Sequence, residues 1–132
     1  MKFFLICLLF FIDNNVKAQF QPTKEYVVFI HKADSLYSAK EYLKSSEMFS
    51  NAFQVNDDLG SVKDRYNAAC SWALSKKNDS AFYQLYRIVA KGNFKDYVNL
   101  TNDSDLSSLH SDARWEPLLK LVLENQTKID NY

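Results

Sequence analysis

Apolar residues follow a helical period along the chain from residue 23 onward. Between Thr23 and Ser38 they recur every three or four positions, which puts them on one face of an amphipathic helix. The positions concerned are Tyr26, Val27, Phe29, Ile30, Ala33, Leu36 and Tyr37. Pro22 stands just ahead of this run, where the missing N–H of a first-turn proline costs nothing. The pattern therefore predicts a first helix over 23–38.

The same spacing predicts four further helices, at 42–53, 62–74, 80–90 and 113–124. Asp112 is the expected N-cap of the last helix, because a short carboxylate can accept the unpaired N–H groups of a first turn. Pro117 is tolerated because it lies near the start of that helix.

Polar segments separate the predicted helices. The strongest loop is 56–60, since Asn-Asp-Asp-Leu-Gly combines turn-forming residues with one of only two glycines. The breaks at 39–41 and 76–79 are shorter. Gly92 stands where a left-handed helix C-cap is expected. Residues 99–105 are predicted to be polar and irregular, and the next five to form one helical turn.

Composition excludes several other classes of protein. The 132 residues contain two glycines and two prolines, too few for a β-sandwich or barrel, which needs a turn every 8–12 residues or so. Two cysteines cannot build a disulfide-dense scaffold. Sixteen basic residues balance sixteen acidic ones, which argues against a nucleic-acid-binding surface. The chain is therefore predicted to be all-α.

The first eighteen residues have the pattern of a signal peptide. A basic start is followed by an apolar run at 3–12, which is shorter than the ~20 residues that a spanning helix needs. Cleavage is expected after Ala18, which leaves a mature domain of 19–132 without a stable membrane span and a secreted or periplasmic location. An uncleaved anchor and a lipoprotein attached at Cys7 are the alternatives. Cleavage removes Cys7, so Cys70 would be the single cysteine, which we expect to be buried.

Residue types recur at a constant offset of 36 between the first two predicted hairpins. The matched pairs are Ala33 and Ala69, Leu36 and Trp72, Ser45 and Ala81, Phe49 and Leu85, and Ala52 and Ile88. Small residues recur where two helices are expected to cross closely, and large ones where a side chain fills a groove of its neighbour. Adjacent amphipathic hairpins share some spacing in any case, but the conservation of residue size at five positions favours a true repeat.

The residues of both hairpins resemble a known family. The segment from Ala33 to Ala52, and still more Tyr66-Asn67-Ala68-Ala69-Cys70 with the following residues to Leu85, resemble tetratricopeptide repeats of secreted bacterial proteins. The chain departs from that family in three ways. Lysines stand at 40 and 76 in place of the usual glycine, Ser45 replaces the usual alanine, and no proline closes either repeat.

The resemblance implies a short α-solenoid of two helical hairpins and a C-terminal capping helix. The repeats would cover about 24–57 and 60–92, and a terminal segment about 95–126. In such arrays the first helix of each repeat lines a concave groove that receives a partner. By this resemblance the groove residues are Ile30, Asp34, Tyr37, Lys63, Tyr66, Asn67 and Cys70. The clamp of two lysines and two asparagines that some members use for a C-terminal carboxylate is not reproduced.

A search for catalytic or metal-binding patterns finds weak candidates only. His31 and Asp34 are one helical turn apart, but a zinc site needs at least three protein ligands. His110 has no evident route to Cys70. The acidic stretch from Asp103 fails as a calcium loop, because its sixth and twelfth positions are serine and arginine instead of glycine and glutamate. We therefore expect no metal, no cofactor and no enzymatic activity.

Three functions are compatible with these residues. The leading hypothesis is a non-catalytic module that binds a protein or peptide partner, with no affinity for nucleic acid. The second is a stand-alone or truncated accessory domain of a secreted hydrolase or thioredoxin-like protein. The third is a small-ligand carrier with an aromatic pocket formed by Tyr66, Trp72, Phe82 and Tyr86, although aromatic side chains at helical spacing more often form core.

Overall fold

The computed structural model describes residues 19–91 and 93–129. Within these ranges the regular structure is entirely helical and contains no strand, which confirms the predicted all-α class. The α-helices are α1 (Lys24–Ser38), α2 (Tyr42–Gln54), α3 (Val62–Leu74), α4 (Asn78–Tyr86), α5 (Tyr97–Asn102) and α6 (Trp115–Ile129). A π-helical turn, Arg87–Lys91, continues α4, and a 3₁₀ helix, Ser104–Leu109, precedes α6. The predicted signal peptide at 1–18 and the predicted C-cap at Gly92 lie outside the described residues.

The first three helices lie within one residue of their predicted bounds. Thr23 caps α1, because its hydroxyl accepts the N–H of Tyr26 at 3.1 Å. Ser61 caps α3 in the same way by accepting the N–H of Asp64 at 3.0 Å. Both caps supply partners to N–H groups that the first turn of a helix leaves unpaired.

Two local predictions are wrong. Residues 99–105 are not irregular, since Asp96 caps α5 by accepting the N–H of Asn99 at 3.0 Å. Burial of Leu100 then fixes this short helix against the core. Asp112 does not cap α6, which begins at Trp115; its carboxylate instead accepts the backbone N–H of Arg114 at 3.0 Å in a local turn.

The turns inside the two hairpins have the same hydrogen bonds, 36 residues apart. The N–H of Lys40 donates to the carbonyl of Tyr37, and the N–H of Glu41 donates to that of Leu36. In the second hairpin Lys76 donates to Ala73 and Lys77 to Trp72, and all four bonds are 2.9–3.0 Å long. This pairing is the Schellman motif, in which the residue after the helix adopts a left-handed conformation. Lys40 and Lys76 both have φ 60°. The motif therefore forms without glycine, although each lysine adopts a strained left-handed conformation.

The five residue pairs of the predicted repeat also share their degree of burial. Leu36 and Trp72 are both partly buried, and the members of the other four pairs are buried. Ser45 has a reason to replace alanine, because its hydroxyl donates to the carbonyl of Ala33 at 2.8 Å and lies 3.1 Å from the hydroxyl of Ser71. One buried serine thus joins α1, α2 and α3.

The core consists of two clusters of buried side chains. The smaller one lies between α1 and α2 and includes Tyr26, Phe49 and Phe53. The larger one contains buried side chains of α3, α4, the π-helical turn, α5, the 3₁₀ helix and α6. Helix α6 contributes Trp115, Leu118, Leu119 and Val122 to it. Burial of apolar side chains is the main favourable contribution to folding, so α6 is an integral part of the larger cluster.

The loop between the hairpins is packed tightly against α2. A Cβ at Gly60 would lie 2.5 Å from the ring of Phe53, so only glycine fits there. Arg65 lies over that ring, with its guanidinium carbon 4.4 Å from the ring centroid. Arg65 also donates to the carbonyl of Asp58 at 2.6 Å and to the side chain of Gln84 at 2.8 Å. The loop is therefore held by a buried arginine from α3.

Helix α6 holds the π-helical turn and the segment after it through side-chain amides. The side-chain amide of Asn125 donates to the carbonyls of Val89 at 2.8 Å and Phe94 at 3.0 Å. Gln126 donates to the carbonyl of Lys95 at 2.7 Å. None of the helices in the described ranges combines the length and the apolar character that crossing a bilayer requires.

Replacement of Lys76 by glycine is expected to stabilise the protein. A left-handed conformation costs an L-residue about 1–2 kcal/mol, whereas glycine adds about 0.5–1 kcal/mol of unfolded-state entropy. The difference, up to about 1 kcal/mol, should raise the thermal midpoint by a few degrees. Circular dichroism melting measures it. Lys76→Ala is the control, since it removes the same side chain but keeps Cβ; a glycine variant no more stable than the alanine variant would contradict the argument.

Candidate functional site

A cavity of about 210 Å³ lies where α1, α2 and α3 meet the segment that joins α5 to the 3₁₀ helix. Its lining residues are Asp34, Tyr37, Phe49, Tyr66, Asn67, Cys70, Asp103 and Asp105. Asp34 is exposed and marks the mouth, whereas Phe49 and Cys70 are buried and form the floor. We call this the interhelical cavity.

Helical spacing explains why these side chains meet. Asp34 and Tyr37 are three residues apart on α1, and Tyr66 and Cys70 are four residues apart on α3, so each pair shares one face of its helix. The packing of α2 against both helices brings the two faces together. The first helices of the two hairpins thus supply five of the eight lining residues.

Five of the seven residues predicted to line a groove lie around the interhelical cavity: Asp34, Tyr37, Tyr66, Asn67 and Cys70. The structure does not bring the other two into it. Ile30 is partly buried and packs against the smaller core cluster, one helical turn before Asp34. Lys63 is exposed on the first turn of α3, one turn before Asn67.

Three lining residues are absent from the predicted groove: Phe49, Asp103 and Asp105. Phe49 was expected only as a large residue of the repeat, whereas the two aspartates lie 33 and 35 positions after Cys70, in a stretch that was predicted to be irregular. The one available signal was the cluster of acidic side chains, which fits a solvated loop equally well. Nothing local in the sequence indicates that this stretch packs against α3.

Two tyrosines hold these carboxylates in place. The hydroxyl of Tyr66 donates to Oδ2 of Asp103 at 2.8 Å, and that of Tyr37 donates to Oδ2 of Asp105. The backbone N–H of Asp105 donates to Oδ1 of Asp103 at 3.0 Å. Since each tyrosine belongs to a different hairpin, the Asp103–Asp105 segment bridges the two.

Burial and negative charge keep the Cys70 thiol protonated. Burial raises its pKa most, and the carboxylates of Asp103 and Asp105 raise it further. Its sulfur lies 3.8 Å from Oδ2 of Asp103, to which the thiol donates. A nucleophilic cysteine needs the opposite environment, in which nearby positive charge lowers the pKa.

The phenols of the site are likewise held neutral. Burial raises the pKa of Tyr66, and its hydrogen bond to Asp103 adds to the effect. For Tyr37 the hydrogen bond to Asp105 is the larger cause of a raised pKa and burial the smaller. Both hydroxyls are therefore donors at physiological pH and not bases.

The charged groups that line the cavity are all acidic. Asp34, Asp103 and Asp105 carry carboxylates, and within the described residues none of the three forms an ion pair. Burial raises the pKa of Asp34, and the nearby carboxylate of Asp64 raises it further, although the positive charge of Lys63 opposes the change. The cavity therefore has a negative potential without a countercharge on its lining.

One group of side chains has the spacing that a metal ion would need. The sulfur of Cys70 and carboxylate oxygens of Asp103 and Asp105 all lie within 4.8 Å of one another. Three donors are fewer than the four of a closed structural zinc site, and the side chains already share hydrogen bonds, since Tyr66 and Cys70 donate to Asp103 and Tyr37 donates to Asp105. The arrangement thus fits a hydrogen-bonded thiol better than a metal ligand.

The four aromatic residues of the small-ligand hypothesis do not form a common pocket. Tyr66 lines the interhelical cavity, Phe82 and Tyr86 line a separate groove on α4, and Trp72 lies on a third surface. All four contribute to the larger core cluster or pack against it. These positions favour the core interpretation of the four aromatic residues over the carrier pocket, which was the third alternative.

Neither histidine enters the cavity. His31 is exposed on α1, and His110 is exposed with its ring tilted by 31° against that of Trp115 at a centroid distance of 4.5 Å. The lining of the cavity includes Cys70 but neither histidine.

Comparison of the chain with protein-family models, with curated proteins and with solved structures finds no match. The resemblance to tetratricopeptide repeats therefore stays a prediction, carried by the residues quoted for it.

Proposed function

We propose that the protein is a non-catalytic module that binds a protein or peptide partner, and that the interhelical cavity is the centre of its binding surface. The observation that carries this proposal is that five residues predicted to face a groove line one cavity with an exposed mouth. A tetratricopeptide-like arrangement of the two hairpins is part of the proposal. The identical turns at Lys40 and Lys76 support it.

The chemistry of the cavity favours binding over catalysis. Its thiol is buried and hydrogen-bonded, and its two phenols are donors to carboxylates. Catalysis by a nucleophile would need an adjacent base to activate it. Tyrosine, in contrast, is well suited to a protein interface, because it combines a large contact area with a polar tip.

Export from the cytoplasm is the second part of the proposal. It rests on the basic start, the short apolar run and the small residue at position 18. Secretion or a periplasmic location would then determine which partners the module meets.

Asn67→Arg is expected to abolish capture of the partner. Asn67 lines the cavity and is partly exposed, and its side-chain amide makes no hydrogen bond in the described structure. A longer side chain can therefore fill the cavity without disturbing the fold. The measurement is affinity capture from the native compartment with wild-type and variant proteins, followed by quantitative mass spectrometry. A true partner should fall at least tenfold with the variant.

Asn99→Arg is the matched control, because Asn99 is exposed on α5 and lies outside the cavity. The control should capture the partner as wild type does. Equal capture by all three proteins would contradict a binding surface at the cavity, and capture of no specific protein by wild type would count against the module altogether.

A further inference from the structure

The interhelical cavity has an excess of negative charge that its own residues do not neutralise. Three carboxylates line it, and Lys63, whose positive charge acts on Asp34, lies outside the lining and is exposed. Tyr37 and Tyr66 hold two of the carboxylates by donating hydrogen bonds to them. Neutral donors orient a carboxylate but leave its charge in place, so a positive ligand would gain attraction from all three.

The remaining wall of the cavity is aromatic. Phe49, Tyr37 and Tyr66 line it between the carboxylates, and Tyr66 is held by stacking on Phe94 at a centroid distance of 5.6 Å. Aromatic rings attract ammonium and guanidinium groups and also contact the methylene groups that carry them. Aromatic and acidic surfaces together therefore favour a long side chain that ends in a cation.

The volume of the cavity limits the size of its occupant. At about 210 Å³ it is smaller than the ~300–1,000 Å³ of pockets that enclose drug-sized molecules. One amino-acid side chain fits this space better than a nucleotide or a lipid. The exposed Asp34 at the mouth leaves room for the rest of a polypeptide to remain outside.

We propose that the interhelical cavity recognises a single lysine or arginine side chain of the partner protein. This inference rests on the proposed function, since it specifies which feature of the partner the module reads. The half-buried Asp103 and Asp105 and the exposed Asp34 attract the cationic group. The aromatic side chains of the lining contact the methylene chain. The partner segment therefore needs a lysine or arginine at one position, and the cavity places no requirement on its other residues.

Capped pentapeptides with lysine, arginine or norleucine between glycines test the inference. Norleucine has the length of lysine without its charge. Titration of the full chain, followed by heteronuclear NMR, should show that lysine and arginine peptides shift the amide signals of Tyr37, Tyr66 and Asn67. The norleucine peptide should not shift them. Added salt, from about 0.05 to about 0.5 M, should weaken the binding because it screens exposed charges.

Asp34→Asn is the decisive variant, because the carboxylate of Asp34 makes no hydrogen bond in the described structure and its replacement should leave the fold intact. It should weaken the lysine peptide about threefold, as expected for a partly exposed ion pair. Asp57→Asn removes the same charge from an exposed position outside the cavity and should change nothing. Equal effects of the two variants, or equal binding of lysine and norleucine peptides, would overturn the inference.

Two further experiments distinguish a lysine or arginine side chain from other occupants of the cavity. Equimolar Zn²⁺ should not displace the lysine peptide; displacement that depends on Cys70 would identify a metal site instead. Methylammonium chloride at the peptide's concentration should bind far more weakly, and equal affinity would identify a site for small amines. If Asn67→Arg loses a partner while charge has no effect on peptide binding, the cation inference fails and the proposed function stands.

Discussion

A chain that ends at residue 112 is expected to lose its cooperative thermal transition. Helix α6 contributes Trp115, Leu118, Leu119 and Val122 to the larger core cluster, and all four are buried. Burial of such side chains stabilises a fold by about 1.5–3 kcal/mol each, or roughly 6–12 kcal/mol together. Small domains have a total stability of about 5–15 kcal/mol, so the loss of the helix removes most of it.

The removal of α6 also exposes polar groups that the helix satisfies. Asn125 donates to the carbonyls of Val89 and Phe94, so without it the π-helical turn and the segment after it each lose one hydrogen bond. We therefore expect a broad, non-cooperative melt by circular dichroism and binding of a hydrophobic dye to the truncated chain.

Two substitutions on α6 separate the helix's core face from its exposed face. Leu118→Ala should cost about 2–5 kcal/mol, since Leu118 is fully buried. Lys120→Ala should change stability by less than about 0.5 kcal/mol, because Lys120 is exposed. An unchanged midpoint in the chain that ends at residue 112 would show that α6 is not required to cover the core.

Arg65→Ala should destabilise the protein by about 3 kcal/mol, which corresponds to a fall of roughly 10 °C in the thermal midpoint. The Arg65 guanidinium is buried between Phe53, Gln84 and the carbonyl of Asp58. Burial lowers the pKa of this guanidinium, although arginine stays charged. Its removal leaves the buried side chain of Gln84 without its partner and one face of Phe53 without cover.

Arg87→Ala is the matched control for Arg65→Ala. Arg87 also binds Asp58, at 2.9 Å to the carboxylate and 3.0 Å to the carbonyl, but it lies nearer the surface. Exposed ion pairs contribute about 0–1 kcal/mol, so this variant should melt close to wild type. Chemical denaturation of both variants measures the difference. Equal losses would mean that the shared contact with Asp58, and not burial of the guanidinium, determines stability.

Much of the helical framework is predictable because its signals are local. The caps at Thr23 and Ser61, the turns at Lys40 and Lys76 and the helical period all depend on residues fewer than six positions apart. The wrong prediction at 99–105 shows the limit of local signals. Asp96 is a local cap, but the helix that it begins has six residues, and burial of Leu100 by distant residues stabilises it.

The candidate site could be predicted only in part. Asp34, Tyr37, Tyr66, Asn67 and Cys70 line the cavity from α1 and α3, and it was the resemblance to tetratricopeptide repeats that selected them. Asp103 and Asp105 could not be selected, because their contacts with Tyr66 and Tyr37 span 37 and 68 residues. The acidic character of the cavity depends on these two residues.

The sequence by itself determined the all-α class, the positions of the first three helices and the recurrence of residue size 36 positions apart, because helical period and residue size act over short distances. The tertiary structure alone decided that the Asp103–Asp105 segment lines the interhelical cavity and that Arg65 lies inside the core. The physical reason is that both outcomes depend on which surfaces pack together. A charged residue has the same local pattern whether its partner is water or a distant side chain.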